Sequence, residues 1–106
     1  FVPACFTAAT GRAHWESLLR ARAIENGCYV LAAGQCGAKP HYPAHGHSLA
    51  VNPWGEIVVR RPEDEGLVLA EINLESVKAA RRQIPVLANR RTDIYGLNQP
   101  AQIDPV

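Results

Sequence analysis

The sequence predicts an α/β domain in which helices pack on a mixed β-sheet. Three observations predict it. The apolar pattern changes along the chain in the order strand, helix, several strands, helix. Residues 28–35 (CYVLAAGQ) form a short apolar run between glycines, which suits a strand buried on both faces. The strands after it are joined by tight turns and are therefore antiparallel, whereas the first strand reaches its successor through a helix, which favours a parallel neighbour.

Residues 1–6 read as the end of a buried strand, and residues 7–11 as a turn of small residues. Residues 12–26 read as a helix of about four turns, with Trp15, Leu18, Leu19 and Ala23 as its apolar stripe. Arg12–Glu16 and Glu16–Arg20 are spaced to pair along it, Thr10 is placed to cap its start, and Gly27 is placed to end it. After the strand at 28–35, residues 36–46 hold two Pro and two Gly with few apolar residues, and read as a loop. Residues 48–51 and 56–60 read as strands joined by Asn52-Pro53-Trp54-Gly55, a type I turn signature. An acidic turn at 62–66 leads to a further strand at 67–72. Asn73 caps a second helix, with Glu75 in its first turn to meet the helix dipole; Leu74, Val77, Arg81 and Ile84 share a face, and Pro85 stops it. Residues 85–95 are irregular and carry Arg90-Arg91, and the stretch from Gly96 onward has no periodicity.

Composition narrows the class. The 106 residues are 47% hydrophobic and 20% charged, as in ordinary globular domains. A net charge of +1 points to neither nucleic acid nor an anionic membrane, and no apolar stretch of about 18 residues is present to span a bilayer. The pairs Arg60-Arg61, Arg81-Arg82 and Arg90-Arg91 lack interleaved aromatics and read as solvated or ion-paired faces. Cys5, Cys28 and Cys36 are an odd number without a secretory leader, so reduced thiols and a cytoplasmic location are expected. There is no Met, and the opening Phe1-Val2-Pro3 has no leader-like features; both lead to the expectation of a C-terminal part of a larger domain.

Few residues call for chemistry on their own. Cys5 stands at a strand end before a helix, where a thiolate would gain from the dipole, but a small core residue is the simpler reading. Cys36, His41, His45 and His47 have the spacing C-x4-H-x3-H-x-H, which matches no common zinc pattern; polar residues at a site rim account for them, with a metal-binding module as the alternative. Glu16 and His14 could exchange protons, although Arg12 and Arg20 as helical neighbours would hold Glu16 ionised.

Several runs together resemble a known family. They are Pro3-Ala4-Cys5-Phe6-Thr7, Thr10-Gly11, residues 14–26 (HWESLLRARAIEN), Gly46-His47-Ser48, Asn52-Pro53-Trp54-Gly55-Glu56, Ile84-Pro85-Val86 and residues 90–95 (RRTDIY). In that order and spacing they are similar to the carbon–nitrogen hydrolase (nitrilase) superfamily, nearest its Nit-type branch of deaminated-glutathione and omega-amidases. The resemblance covers residues 1–96, read as the C-terminal part of such a domain, with 97–106 as a tail. It implies a four-layer αββα sandwich and hydrolysis of a linear carboxamide to acid and ammonia. It also implies a Cys nucleophile, a Glu base and a Lys, all upstream of this chain, with no catalytic residue, metal or cofactor within it. Phe6 and Thr10 match positions that line the substrate pocket in relatives, Phe6 against the acyl chain and Thr10 as a hydrogen-bonding group. Cys5 stands where relatives usually carry Ala, and His45 where close relatives often carry an aromatic residue. A homodimer is implied, with residues 15–26 and the Arg90-Arg91 segment contributing. A non-catalytic oligomerisation or interaction module is the alternative reading.

Overall fold

The computed structural model describes residues 1–94. Tyr95 and the tail expected from residue 97 lie outside the described residues. The elements are β1 (Val2–Ala4), α1 (Ala8–Thr10), a π-helical stretch (Gly11–Trp15), α2 (Glu16–Asn26), β2 (Val30–Gly34), β3 (Cys36–Ala38), β4 (Pro43–His45), β5 (Leu49–Val51), β6 (Ile57–Arg60) and α3 (Leu74–Gln83).

Four strands form one sheet in the order β1-β2-β5-β6. β1 and β2 run parallel, with Val2 opposite Ala32; β2–β5 and β5–β6 are antiparallel. The mixed sheet is the one expected. Alternate residues set its buried face: Val30 and Ala32 on β2, and Leu49 and Val51 on β5, meet Trp15, Leu19 and Ala23 of the first helix. Val2, Ala4, Phe6 and Cys28 pack against that cluster. Leu49 and Val51 are the largest fully buried side chains, each contributing about 1.5–3 kcal/mol by leaving water.

The first helix starts earlier than its apolar stripe indicates. Ala8 and Ala9 are strong helix formers and are drawn into it. Thr7, not Thr10, is the cap: it is extended (φ −66°, ψ 151°), and its hydroxyl accepts from the Thr10 amide. Thr10 is itself helical and makes no side-chain cap for the segment that follows. The helix ends as expected at Gly27, left-handed at φ 53°. Leu18 falls off the stripe and is 47% exposed.

Residues 36–46, expected to be a loop, contain a small hairpin instead, with Cys36 opposite His45 and Ala38 opposite Pro43. A bridge from Thr7 to Ala44 joins it to the helix start. The strand expected at 67–72 does not form: no sheet edge pairs with it among the described residues, and Leu67 and Leu69 are 86% and 85% exposed. Nor is β2 buried on both faces; Leu31 is half-buried and Ala33 exposed on the side away from α2. In α3 the cap is Asn73, as expected, accepting from the Glu75 amide, but Ala80 is the buried residue, while Leu74 is exposed.

Candidate functional site

The parallel pair β1–β2 ends in a cleft of about 390 Å³ lined by Pro3, Ala4, Cys5, Ala33, Gly34 and Gln35. A second opening, about 310 Å³, shares Gly34 and Gln35 and adds Cys36, Lys39, Ser48, Asp64, Glu65 and Gly66. Both lie at the carboxyl ends of parallel strands, the usual place for a ligand in an α/β sheet. The backbone amides there are engaged: Gln35 donates to Ala4 O and Gly46 to Gln35 O, each at 2.9 Å.

Cys5 faces the hairpin connection, with Sγ 3.8 Å from Tyr42 Oη. The hydrogen bond with Cys5 is the main cause that pushes the Tyr42 hydroxyl above the usual phenol range, with the charge of Cys5 and slight burial adding to it. Nothing in the spacing of residues 5 and 42 signals this contact. It arises because the hairpin folds back over the end of β1.

Phe6 packs on Trp15, with ring centroids 5.0 Å apart and planes at 56°. Its carbonyl accepts from the His45 amide at 2.9 Å. Thr10 is exposed, and its hydroxyl lies 2.8 Å from that of Thr7. Neither residue lines the two openings above: Phe6 follows Cys5 but turns to the core, and Thr10 sits on the helix.

The Gly46-His47-Ser48 run is a built corner. Gly46 (φ 70°) and His47 (φ 55°) are both left-handed, which costs a non-glycine residue about 1 kcal/mol or more. Three bonds hold it. Trp15 Nε1 donates to His47 O at 2.8 Å, His47 Nδ1 donates to His45 O at 2.6 Å, and the Gly34 amide donates to Ser48 Oγ at 3.0 Å. Gly34 is required by close approach, because a Cβ there would overlap the Gly46 carbonyl. This turn brings the His45 and His47 rings into a stack, centroids 4.2 Å apart and planes at 18°. His45 is buried. Burial, then the charge of His47, holds its imidazole below the ordinary value; Glu63 opposes this and Arg12 adds to it.

Among the described residues no three His, Cys, Asp or Glu side chains converge as metal ligands, so Cys36, His41, His45 and His47 do not assemble into the metal cluster weighed from their spacing. Cys5, Cys28 and Cys36 are free thiols. Glu16 is ion-paired as expected, with Arg20 at 3.9 Å, but its second partner is Arg60 of β6 and not Arg12. Arg61 pairs with Asp64 at 2.8 Å, and Arg91 with Asp93 at 2.7 Å. No helix among the described residues is long and apolar enough to cross a membrane.

The model of the carbon–nitrogen hydrolase family matches residues 3–82. The chain belongs to the carbon–nitrogen hydrolase family. Human deaminated glutathione amidase is 53% identical over 95 residues, covering 89% of this chain and 29% of the relative. Bovine omega-amidase NIT2 is 43% identical over 94 residues, covering 88% of this chain and 34% of that protein. The chain thus spans about three tenths of the length of these amidases. Among solved structures, the Caenorhabditis elegans NitFhit protein is 51% identical with a TM-score of 0.79, over 86% of this chain and 22% of that one. Saccharomyces cerevisiae Nit3, a member of branch 10 of the nitrilase superfamily, is 35% identical with a TM-score of 0.75, over 82% and 32%. The expected family and its α/β nitrilase fold are borne out, and the Gly46-His47-Ser48 run is accounted for here by the corner it builds under Trp15.

Proposed function

We propose that this chain closes the sandwich of an amidase that hydrolyses a linear carboxamide to a carboxylic acid and ammonia. The observation that carries the reading is the family match across residues 3–82, joined to amidase-named relatives at 53% identity. The chemistry uses a Cys nucleophile, a Glu base and a Lys contributed by sequence upstream of this segment, without metal or cofactor. The thiolate attacks the amide carbonyl, and the Lys charge stabilises the tetrahedral oxyanion. The carboxyl group protonates the departing amine, and water then cleaves the thioester.

In this reading the substrate lies over the cleft at the ends of β1 and β2 and reaches beyond its lining, to Phe6 with its acyl chain and to the Thr10 hydroxyl. Phe6 backs the wall from the core side, where Trp15 fixes its ring. Thr10 is exposed and already oriented by Thr7, so its hydroxyl can be shared with a ligand without moving the helix. The enzyme is cytoplasmic, in keeping with three free thiols, and a homo-oligomer through the outer face of α2, where Arg22 and Glu25 pair at 2.8 Å.

The test is ammonia release from short dicarboxylic monoamides by the protein expressed from its complete reading frame. Turnover is expected, and Thr10→Val should raise KM severalfold, about 1 kcal/mol for one lost hydrogen bond, with kcat nearly unchanged. A well-folded protein inert towards a panel of linear carboxamides would leave the reading without support and favour a non-catalytic module.

A further inference from the structure

The hairpin β3–β4 is held to the rest of the molecule at few points. The Thr7–Ala44 bridge and the His45 amide on Phe6 O tie it to the chain leading into the helix. The Gly46 amide on Gln35 O ties it to the end of β2. Tyr42 Oη, 3.8 Å from Cys5 Sγ, ties the hairpin connection to the end of β1, and the His45 side chain is a further attachment. Its ring lies flat on His47 on one side. On the other it presses on Gly11, where a Cβ would fall onto the imidazole carbons. Among the described residues neither ring nitrogen of His45 has a hydrogen-bond partner.

We propose that the His45–His47 stack is an acid-sensitive latch, closed while His45 is neutral and opened when a proton enters the buried ring, releasing the β3–β4 hairpin from the start of the helix. The groups facing His45 fix the sign. From the helix comes Arg12, from the corner His47, from the segment after β6 Glu63, and from β3 the Cys36 thiol paired opposite it. Two of these, Arg12 and His47, oppose a second positive charge, and Glu63 favours one. Burial adds to the opposition and is the largest influence. The folded ring thus takes its proton at lower pH than the unfolded ring. Stability is flat above the ordinary imidazole value of about 6.5 and declines as pH falls below it, towards the depressed folded value. The ring meets His47 and Gly11, so the opening is expected at the corner and the start of the helix. The latch is read without any substrate. Only its consequence for a ligand, a loosened wall beside Phe6, rests on the amidase reading.

Hydrogen exchange on the protein from the complete reading frame tests it, with His45→Tyr as the comparison, since tyrosine keeps an aromatic plate that does not titrate in this range. After correction for intrinsic exchange, protection of the His45 and Gly46 amides should fall between about pH 7.5 and 5.5 in the natural protein while β2 and β5 stay protected. In His45→Tyr it should stay level. Equal loss in both proteins, or simultaneous loss from the core strands, would overturn the latch. Should the variant not fold, imidazole NMR on the natural protein decides alone. Titration of His45 below the ordinary value, with the Phe6 and Gly46 signals moving alongside, supports the latch; titration at or above it, or without those movements, ends it.

Discussion

Thr7 and Thr10 are three residues apart with hydroxyls in contact, and the structure gives them different work. Thr7 stands outside the helix and accepts from the Thr10 amide, so it satisfies an otherwise orphaned donor. Thr10 has helical backbone angles and caps nothing by its side chain. Thr7→Ala is therefore expected to cost about 1 kcal/mol, whereas Thr10→Ala should stay within about 0.5 kcal/mol. Urea midpoints of the complete protein compare them, and losses of equal size would contradict the assignment. Either threonine could cap a helix on sequence grounds. What decides is Ala8-Ala9, which read as turn residues because they are small, although alanine is the best helix former. The histidines show the same limit. Their spacing at 45 and 47 is visible in the sequence, but the stack depends on a left-handed pair at Gly46-His47. A histidine carries no local signal for that conformation, and the force holding it is a tryptophan 32 residues away.

At the scale of elements, the two helices are joined end to side. Arg81 of α3 donates from Nε to Gly27 O at 3.1 Å and from Nη2 to Asn26 O at 3.5 Å, at the carbonyl end of α2. A guanidinium there both satisfies orphaned acceptors and meets the negative end of the helix dipole. Arg81→Ala is expected to cost about 1 kcal/mol and to fray the last turn of α2, read as faster amide exchange near Asn26. Arg81→Lys should recover less than half of this, because a single ammonium cannot present the same fork. Full recovery by lysine would reduce the contact to simple charge. The ends of both helices were legible: Gly27 and Asn73 stand where helix-ending and helix-starting residues belong. Their connection across 54 residues was not, since Arg81 reads as one of a solvated basic pair. The β3–β4 hairpin escaped for a different reason. Its strands are three residues each, and Gly37 and Pro43 sit within them, so no alternation is long enough to see.

For the molecule as a whole, the decisive asymmetry is between the two faces of the sheet. One face is closed by Trp15, Leu19 and Ala23. The other carries half-buried Leu31 and exposed Ala33 beside buried Ala50, along a groove of about 420 Å³ that runs to the exposed Leu67 and Leu69. Phe1, at 99% exposure, lies along the same groove. The apolar run at 28–35 was legible as a strand meant for burial on both sides, and residues 67–72 as a segment with strand-like pattern. What the sequence of these residues could not supply is the layer that would bury both. An uncovered face of this kind is sticky, because contiguous apolar surface gains free energy by meeting any partner, including another copy of itself. The expectation is that a polypeptide of these 106 residues alone binds a hydrophobic dye such as ANS strongly, self-associates as concentration rises and shows no amide hydrolysis. The protein from the complete reading frame should bind little dye at the same molar concentration. Light scattering and dye fluorescence on the two samples measure this. A monodisperse, dye-negative 106-residue polypeptide with a cooperative unfolding transition would mean that the α2 face alone supplies enough buried surface, and that the second face of the sheet is built for water rather than for another layer.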